Sequence, residues 1–439
     1  MSIVTRNAVV LQPNSPSSSV DRQPHRVSSL RRSGVGSNVV APVLSRPQSA
    51  GGLVFAVLRQ RGPIARDAIA QAAGLSAATV NRQVSALLDA QLLRERPDLA
   101  VPGLVGRPRV PVQLDHEPYL TLGVHVGART TSIVAADLLG RTLDAVETPT
   151  PSGTPAAVLA GLVERVQRYV GRWQRRRALW VGVAIGGVVD GATGVVDHPR
   201  LGWSQIPLGA VLGRALGLPV SVASHVDAMA AAELLVGGRA RQDEINSLYL
   251  YARETVGLAQ IVNGQVHTPR GGPGTIARFP VNSEILGGSG ELESTVSDAA
   301  VLTAARSRGL LPESGPGSAI SDLLRIARSQ EATDAASAHE LFTERAKVLG
   351  GAAALLADML NPQSVVVGGQ AFTDYPEAIA LLQATFTQRS VLASSEIRVS
   401  RFGGRVQEAA AAIVSLSSIY ADPSGALRRV NGRRRTLSA

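Results

Sequence analysis

Ser76-Ala77-Ala78 and Asn81-Arg82, with Ser85 one turn on, put hydroxyl, amide and guanidinium groups on one side of a segment whose other side is apolar. The apolar stripe is Val80, Val84, Leu87 and Leu88, at helical spacing. On the outward face of a helix, Asn pairs with the edge of adenine and Arg with that of guanine. Small residues in the first turn let the backbone approach a duplex, and Ser76 is a natural N-cap. Upstream, Leu53, Val54, Val57 and Leu58 predict a helix that stops at Gly62-Pro63, and a short helix Arg66–Ala73 ends at Gly74, the tight turn between two helices. Downstream, Leu92–Glu95 and Arg109–Leu114 read as paired short strands. Between them Gly106-Arg107-Pro108-Arg109 forms a stiff loop with two guanidiniums, suited to a narrow A·T-rich minor groove. Singly, Arg82 is equally a solvated helix-face charge and Arg107 an ordinary loop arginine. The ordered set of three helices, glycine turn, polar face and basic wing predicts a winged helix-turn-helix over 51–114. Its DNA contacts are Ser76, Ala77, Ala78, Asn81, Arg82, Ser85, Arg107 and Arg109.

The rest of the chain must carry and pair such a reading head. At 439 residues and 45% hydrophobic content there is length for about three domains of ~150 residues. There is no cysteine, which excludes disulfides, thiolate-bound zinc, iron–sulfur clusters and a thiol nucleophile. No apolar run reaches the ~18 residues of a membrane span, and the N-terminus lacks the apolar core of a secretory signal, so the expected location is the cytoplasm, at the bacterial nucleoid. The net charge of +10 is segregated. Residues 1–50 hold six Arg against one acid, 51–114 eight against four, and 421–439 five against one, which leaves 115–420 mildly acidic. Lys347 is the only lysine, so base composition explains the arginine preference but not its placement. A polyanionic partner for the ends follows. Residues 1–50, rich in Ser, Pro and Arg, read as a disordered basic arm, and 421–439 as a disordered basic tail. Residues 115–420 alternate Val-rich runs with Ala/Leu-rich stretches, the pattern of an α/β body with a buried sheet.

Within that body, LGVHVGARTTSIVAADLLG at 122–140, GVAIGGVVDGATGVV at 182–196, LPVSVASHVDAMAAAELLVG at 218–237, GGSGELE at 287–293 and LNPQSVVVGG at 360–369 stand in a characteristic order. Together with the wing, they resemble the ROK family of repressors and sugar kinases over about 50–420. The resemblance implies a multidomain chain: a winged helix-turn-helix and a two-lobed, actin/hexokinase-like (RNase H-like) α/β ROK domain at 115–420. It further implies a homodimer or homotetramer on an inverted repeat of double-stranded DNA with A·T-rich flanks.

The departures from the family pattern bear on the chemistry. Its kinases open the first hairpin with an acid and Gly-Gly-Thr around the ATP phosphates; here His125-Val126-Gly127-Ala128-Arg129 stands there, and the second phosphate turn is Arg253-Glu254-Thr255-Val256-Gly257. Ser224 and His225 occupy the positions of the Asn and the general-base Asp. Gly274-Thr275-Ile276-Ala277-Arg278 replaces the sugar-binding Glu and the His shared with zinc, and the zinc cysteines are absent from 284–293. Phosphoryl transfer needs both a base and a phosphate cradle with metal. The expectation is a regulator with no catalytic residues, no metal and no cofactor. An ATP-dependent sugar kinase and a non-specific DNA-associated scaffold are the alternatives.

Ser224, His225, Arg278 and Glu293 are the candidate effector contacts. Arg129, Arg253 and Arg278 either meet a small anionic metabolite or form internal salt bridges. Ser224 and His225 are equally a helix-start cap and a satisfied histidine, and Glu293 equally the cap of a helix Ser294–Arg306.

Overall fold

The computed structural model describes residues 38–100, 110–236, 244–269, 272–312, 319–392 and 396–437, and residues 38 onward form one compact unit. The head consists of α1 (Ala50–Arg61), α2 (Arg66–Ala73), α3 (Ala77–Asp89) and an antiparallel pair, β1 (Leu93–Glu95) with β2 (Val112–Leu114). Val54, Phe55, Leu58, Ile69, Val80, Val84 and Leu87 fill its centre, each no more than 1% exposed. Gly74 ends α2 in the left-handed region (φ 64°), where a β-carbon is strained, and its N–H caps Ala70. The Ser76 side chain accepts from the Thr79 N–H at 3.2 Å and starts α3.

The first lobe of the body contains β3 (Tyr119–Val126), β4 (Thr130–Ala136), β5 (Thr142–Pro149), α4 (Pro155–Val170) and β6 (Arg177–Ile185). There follow a small sheet of β7 (Val188–Asp190), β8 (Val195–His198) and β9 (Trp203–Ile206), then α5 (Leu208–Leu216), β10 (Val220–Ser224) and α6 (His225–Val236). Its main sheet runs β10-β6-β3-β4-β5. The second lobe begins with β11 (Ser247–Ala252), β12 (Val256–Val262) and β13 (Gln265–Val266), followed by α7 (Leu292–Val296), α8 (Asp298–Ser307), α9 (Ile320–Ala327) and the long α10 (Ala332–Leu360). It ends with β14 (Ser364–Gly368), α11 (Gln370–Thr373), α12 (Ile379–Arg389) and β15 (Glu396–Val399), and its sheet order is β13-β12-β11-β14-β15. Helix α13 (Val406–Ala421) returns to the first lobe, and α14 (Pro423–Leu437) follows it.

Two glycines explain how α13 lies so close to the first sheet. A β-carbon on Gly123 would fall 2.5 Å from the Ala411 carbonyl carbon, and one on Gly182 2.1 Å from the Ser415 nitrogen. Only strands without side chains at these points admit the helix backbone. The Ser415 hydroxyl then donates to Thr121 Oγ1 at 2.8 Å. One hydrophobic core runs from the head through α13 and α6 to the inner sheet faces; a second fills the far lobe.

The structure corrects three expected boundaries. The expected disordered arm 1–50 ends in an ordered strap. Val39 bridges Val220 of β10, and Ser45 bridges Gln265 of β13, so the strap pairs with the free edges of both sheets. Edge strands offer unpaired N–H and C=O groups, and the apolar stretch Val39–Leu44 answers them. The tail expected to be disordered at 421–439 contains α14, whose Ala426, Leu427 and Val430 are buried. The helix expected over Ser294–Arg306 is broken at Ser297, which caps α8 through Ala300 N at 3.3 Å.

Candidate nucleic-acid face and inter-lobe cleft

Helix α3 buries Val80, Val84 and Leu87, which turns Ser76, Ala77, Ala78, Asn81, Arg82 and Ser85 outward, all exposed on one face. The expected wing arginines Arg107 and Arg109 lie outside the described residues. What the sequence did not announce is how the head is held. Arg59, in the last turn of α1, stacks 4.3 Å above the Tyr420 ring and donates to the Leu235 carbonyl at 2.5 Å. Phe55 packs on the same tyrosine, with ring centroids 6.0 Å apart, and the Ser49 hydroxyl donates to the Ala421 carbonyl at 2.6 Å.

A cleft of about 460 Å³ lies between the lobes, walled by the 127–130 turn, Gly186–Val188, His198–Arg200, the 253–257 turn and Glu293. Three histidines stand in it. His125 is 2% exposed and neither ring nitrogen has a hydrogen-bond partner. Burial, with the nearby His225 and Arg253 charges, holds its pKa down at about 3. His225, stacked on His125 with centroids 5.9 Å apart, is held at about 4 by burial and by His198. His198 is lowered by burial too, so at neutral pH the cleft presents uncharged imidazoles.

The arginines of the cleft are already committed. Arg129, in the first turn, pairs with Glu254 in the second, across the cleft. Arg200 donates to Glu293 Oε1 at 3.0 Å and to the Glu254 carbonyl at 3.2 Å. Arg253 faces Asp298 at 3.8 Å, and the buried Arg345 holds the other oxygen of Asp298 at 2.8 Å. Of the two readings for Arg129 and Arg253, internal salt bridges are the one the fold adopts.

Glu293 is no helix cap: its second oxygen accepts from the Val256 N–H at 3.0 Å, so it ties β12 to Arg200 of the opposite lobe. His225 lines the cleft. Ser224 lines the neighbouring cavity instead, and Arg278 is exposed and does not line the cleft. The turn in which Phe279 N donates to Ile276 O buries Ile276, and that sends Arg278 outward. Asp137 makes a turn: Oδ1 accepts from the backbones of Leu139 at 3.0 Å and Arg141 at 2.9 Å. Among the described residues, no three His, Asp or Glu side chains converge as a metal site.

A two-lobed body with a helix-turn-helix head locked onto it is the architecture of a ROK-domain regulator, and residues 121–405 match the ROK family, to which this chain belongs. Over 424 residues, 95% of either chain, it is 60% identical to a protein of Mycobacterium tuberculosis named a transcriptional regulator. It is also 24% identical over 327 residues to NagC of Escherichia coli, a DNA-binding transcriptional dual regulator; the match covers 72% of this chain and 79% of NagC. Among solved structures, a ROK family transcriptional regulator homologous to Mlc superposes with a TM-score of 0.70 at 23% identity, over 87% of this chain and 97% of that one. A ROK glucokinase from Streptomyces griseus matches over 67% of this chain and 99% of its own, with a TM-score of 0.57 at 22% identity. The last two likenesses establish the fold.

Proposed function

We propose that this chain is a sequence-specific DNA-binding transcriptional regulator whose kinase-like body performs no phosphoryl transfer. The observation that carries the reading is the exposed face of α3, with Asn81, Arg82 and Ser76 presented by a head that shares its core with the body. The relatives named as transcriptional regulators support it. Against the kinase alternative stand the turns where phosphates would be cradled: a cross-cleft Arg129–Glu254 pair fills that space. His225, not a carboxylate, occupies the general-base position, and burial keeps it neutral. A base alone, without an open cradle for phosphate and metal, does not sustain the reaction.

In this proposal the protein acts at the nucleoid as a homodimer or homotetramer, with two heads on an inverted repeat and the wing arginines Arg107 and Arg109 in A·T-rich flanks. The effector of the cleft is an uncharged molecule rather than the anionic metabolite expected from the arginine count. Every cleft arginine has a carboxylate partner, and the imidazoles carry no charge at neutral pH. The test is selection of bound duplexes from a random library by the full chain at about 150 mM salt, where screening resembles that of the cell. An inverted repeat is the expected product. Recovery of no motif, with binding that vanishes as salt rises, favours the non-specific scaffold.

A further inference from the structure

A second, larger cavity, about 770 Å³, lies behind the cleft, on the other side of the β10–α6 junction. His225 faces the cleft, whereas Ser224 and Asp227 line this cavity. Its roof is the strap. Val40 N donates to Val220 O at 2.8 Å at one end, and Val266 N donates to Leu44 O at 2.9 Å at the other. Between these anchors Ala41, Pro42 and Val43 arch over the space.

The lining is mixed: Pro42, Val43, Val189, Val222, Val266 and Pro269 give it an aliphatic wall, beside the polar Ser45, Gln265 and Thr268. Two carboxylates are set into it. Asp190 is used by its own turn, accepting from Ala192 N at 2.9 Å and Thr193 Oγ1 at 2.7 Å. Asp227 is 4% exposed, and its Oδ1 has no hydrogen-bond partner; nor has the equally buried Ser224 Oγ. Among the described lining residues there is no Lys, Arg or His.

A buried carboxyl in apolar surroundings is costly unless a cation or hydrogen-bond donor meets it. The volume is that of a small-molecule site, in which an apolar wall and a few polar groups fix a ligand. We propose that the strap-roofed cavity binds a small aliphatic amine, its ammonium on the Asp227 carboxylate and Ser224 Oγ, its hydrocarbon against the valine and proline wall. Burial alone pushes the Asp227 carboxyl up to about 7, and a bound ammonium restores its ionised form. The site is separate from the cleft effector, and only a chain with the strap has its roof.

The test is calorimetric titration of the full chain with hexylamine, with hexanol as the uncharged counterpart. Hexylamine is expected to bind at least ~10-fold more tightly than hexanol. Asp227→Asn, which keeps shape and removes charge, is expected to abolish that preference. Ala192→Lys, on the exposed turn at the cavity rim, is expected to weaken hexylamine by electrostatic repulsion without touching the core. Equal affinity for the two probes, or hexylamine binding unchanged in both variants, overturns the proposal. So does the absence of heat up to about 10 mM amine, which would mean that water alone bridges Asp227 and Ser224.

Discussion

Arg59→Ala tests whether the head is mechanically joined to the cleft. Arg59 donates to the Leu235 carbonyl in the last turn of α6, where carbonyls lack intrahelical partners and the dipole is negative. The other end of the same helix is His225, in the cleft, so twelve residues, ~18 Å of rigid rod, connect the two. The substitution removes a cation–π contact with Tyr420 of ~1 kcal/mol. It also removes a charged hydrogen bond of ~1.5–3 kcal/mol. Arg59 is partly exposed, so the expected loss is ~2–3 kcal/mol. Phe55 and Leu58 keep their packing, so the head stays folded. In hydrogen exchange followed by mass spectrometry, amides of α1 and of the last turn of α6 should exchange ~30–150-fold faster. Arg59→Lys should fall between, because an ammonium keeps the charge without the planar stack. Exchange within about twofold of wild type at both places would refute the reasoning. The apolar contacts alone would then dock the head, and α6 would not be its link to the cleft.

Arg82→Ala should cost ~1–3 kcal/mol on the selected operator and relax the preference at one base, measured by titration against duplexes varied at that position. Arg107→Ala should weaken binding most on A·T-rich flanks; if affinity and preference are both unchanged, the wing assignment fails. Gly182→Ala drives a β-carbon to 2.1 Å from the Ser415 nitrogen, backbone that has no rotamer to escape with. It should therefore lower the urea-unfolding free energy by ~3 kcal/mol, at the upper end for overpacking. The pH dependence has two limbs of opposite sign. His125, held at about 3 against an ordinary 6.5, binds its proton first in the unfolded chain, so stability is full above pH 6.5 and is lost as pH falls towards 3. Asp227, raised from 3.8 to about 7, contributes below pH 3.8 and loses that contribution as pH rises through 7. His125→Gln should make the first limb shallower, His225 carrying part of the rest, and Asp227→Asn should flatten the second, in denaturation series across pH.

The head was legible because its signals are local. Ser76, Gly74 and the Val80-Val84-Leu87 stripe each act within a turn or two of their own position. The two-lobed body was legible through its glycine-rich landmarks, since Gly123 and Gly182 answer to the close approach of α13. What escaped was long-range. Arg200 meets Glu293 across 93 positions, and no spacing rule reaches that far. The strap has no amphipathic period of its own, because it is ordered by sheet edges that exist only once both lobes have formed. In α14 the apolar Ala426, Leu427 and Val430 are outnumbered by arginines, so composition pointed to a solvated tail while three side chains sufficed to dock it.

These long-range contacts join the head to both lobes of the body. Through α13, α14 and Tyr420 it belongs to the first lobe. Through the strap it is tied to the second as well: Arg46 donates from its backbone to Gly264 and from its guanidinium to the Glu244 carbonyl at 2.8 Å. Four residues further on, α1 begins. A change in the angle between the lobes therefore acts on the strap, which is anchored to both, and through it on the start of α1. A ligand can exploit this only if it favours one lobe angle over the other. The ion pairs Arg129–Glu254 and Arg200–Glu293 span the cleft, so the lobe angle they bridge has a stabilisation of its own. A ligand of the cleft that favours a wider lobe angle has these two pairs to break, so its differential affinity for that angle must exceed what they contribute.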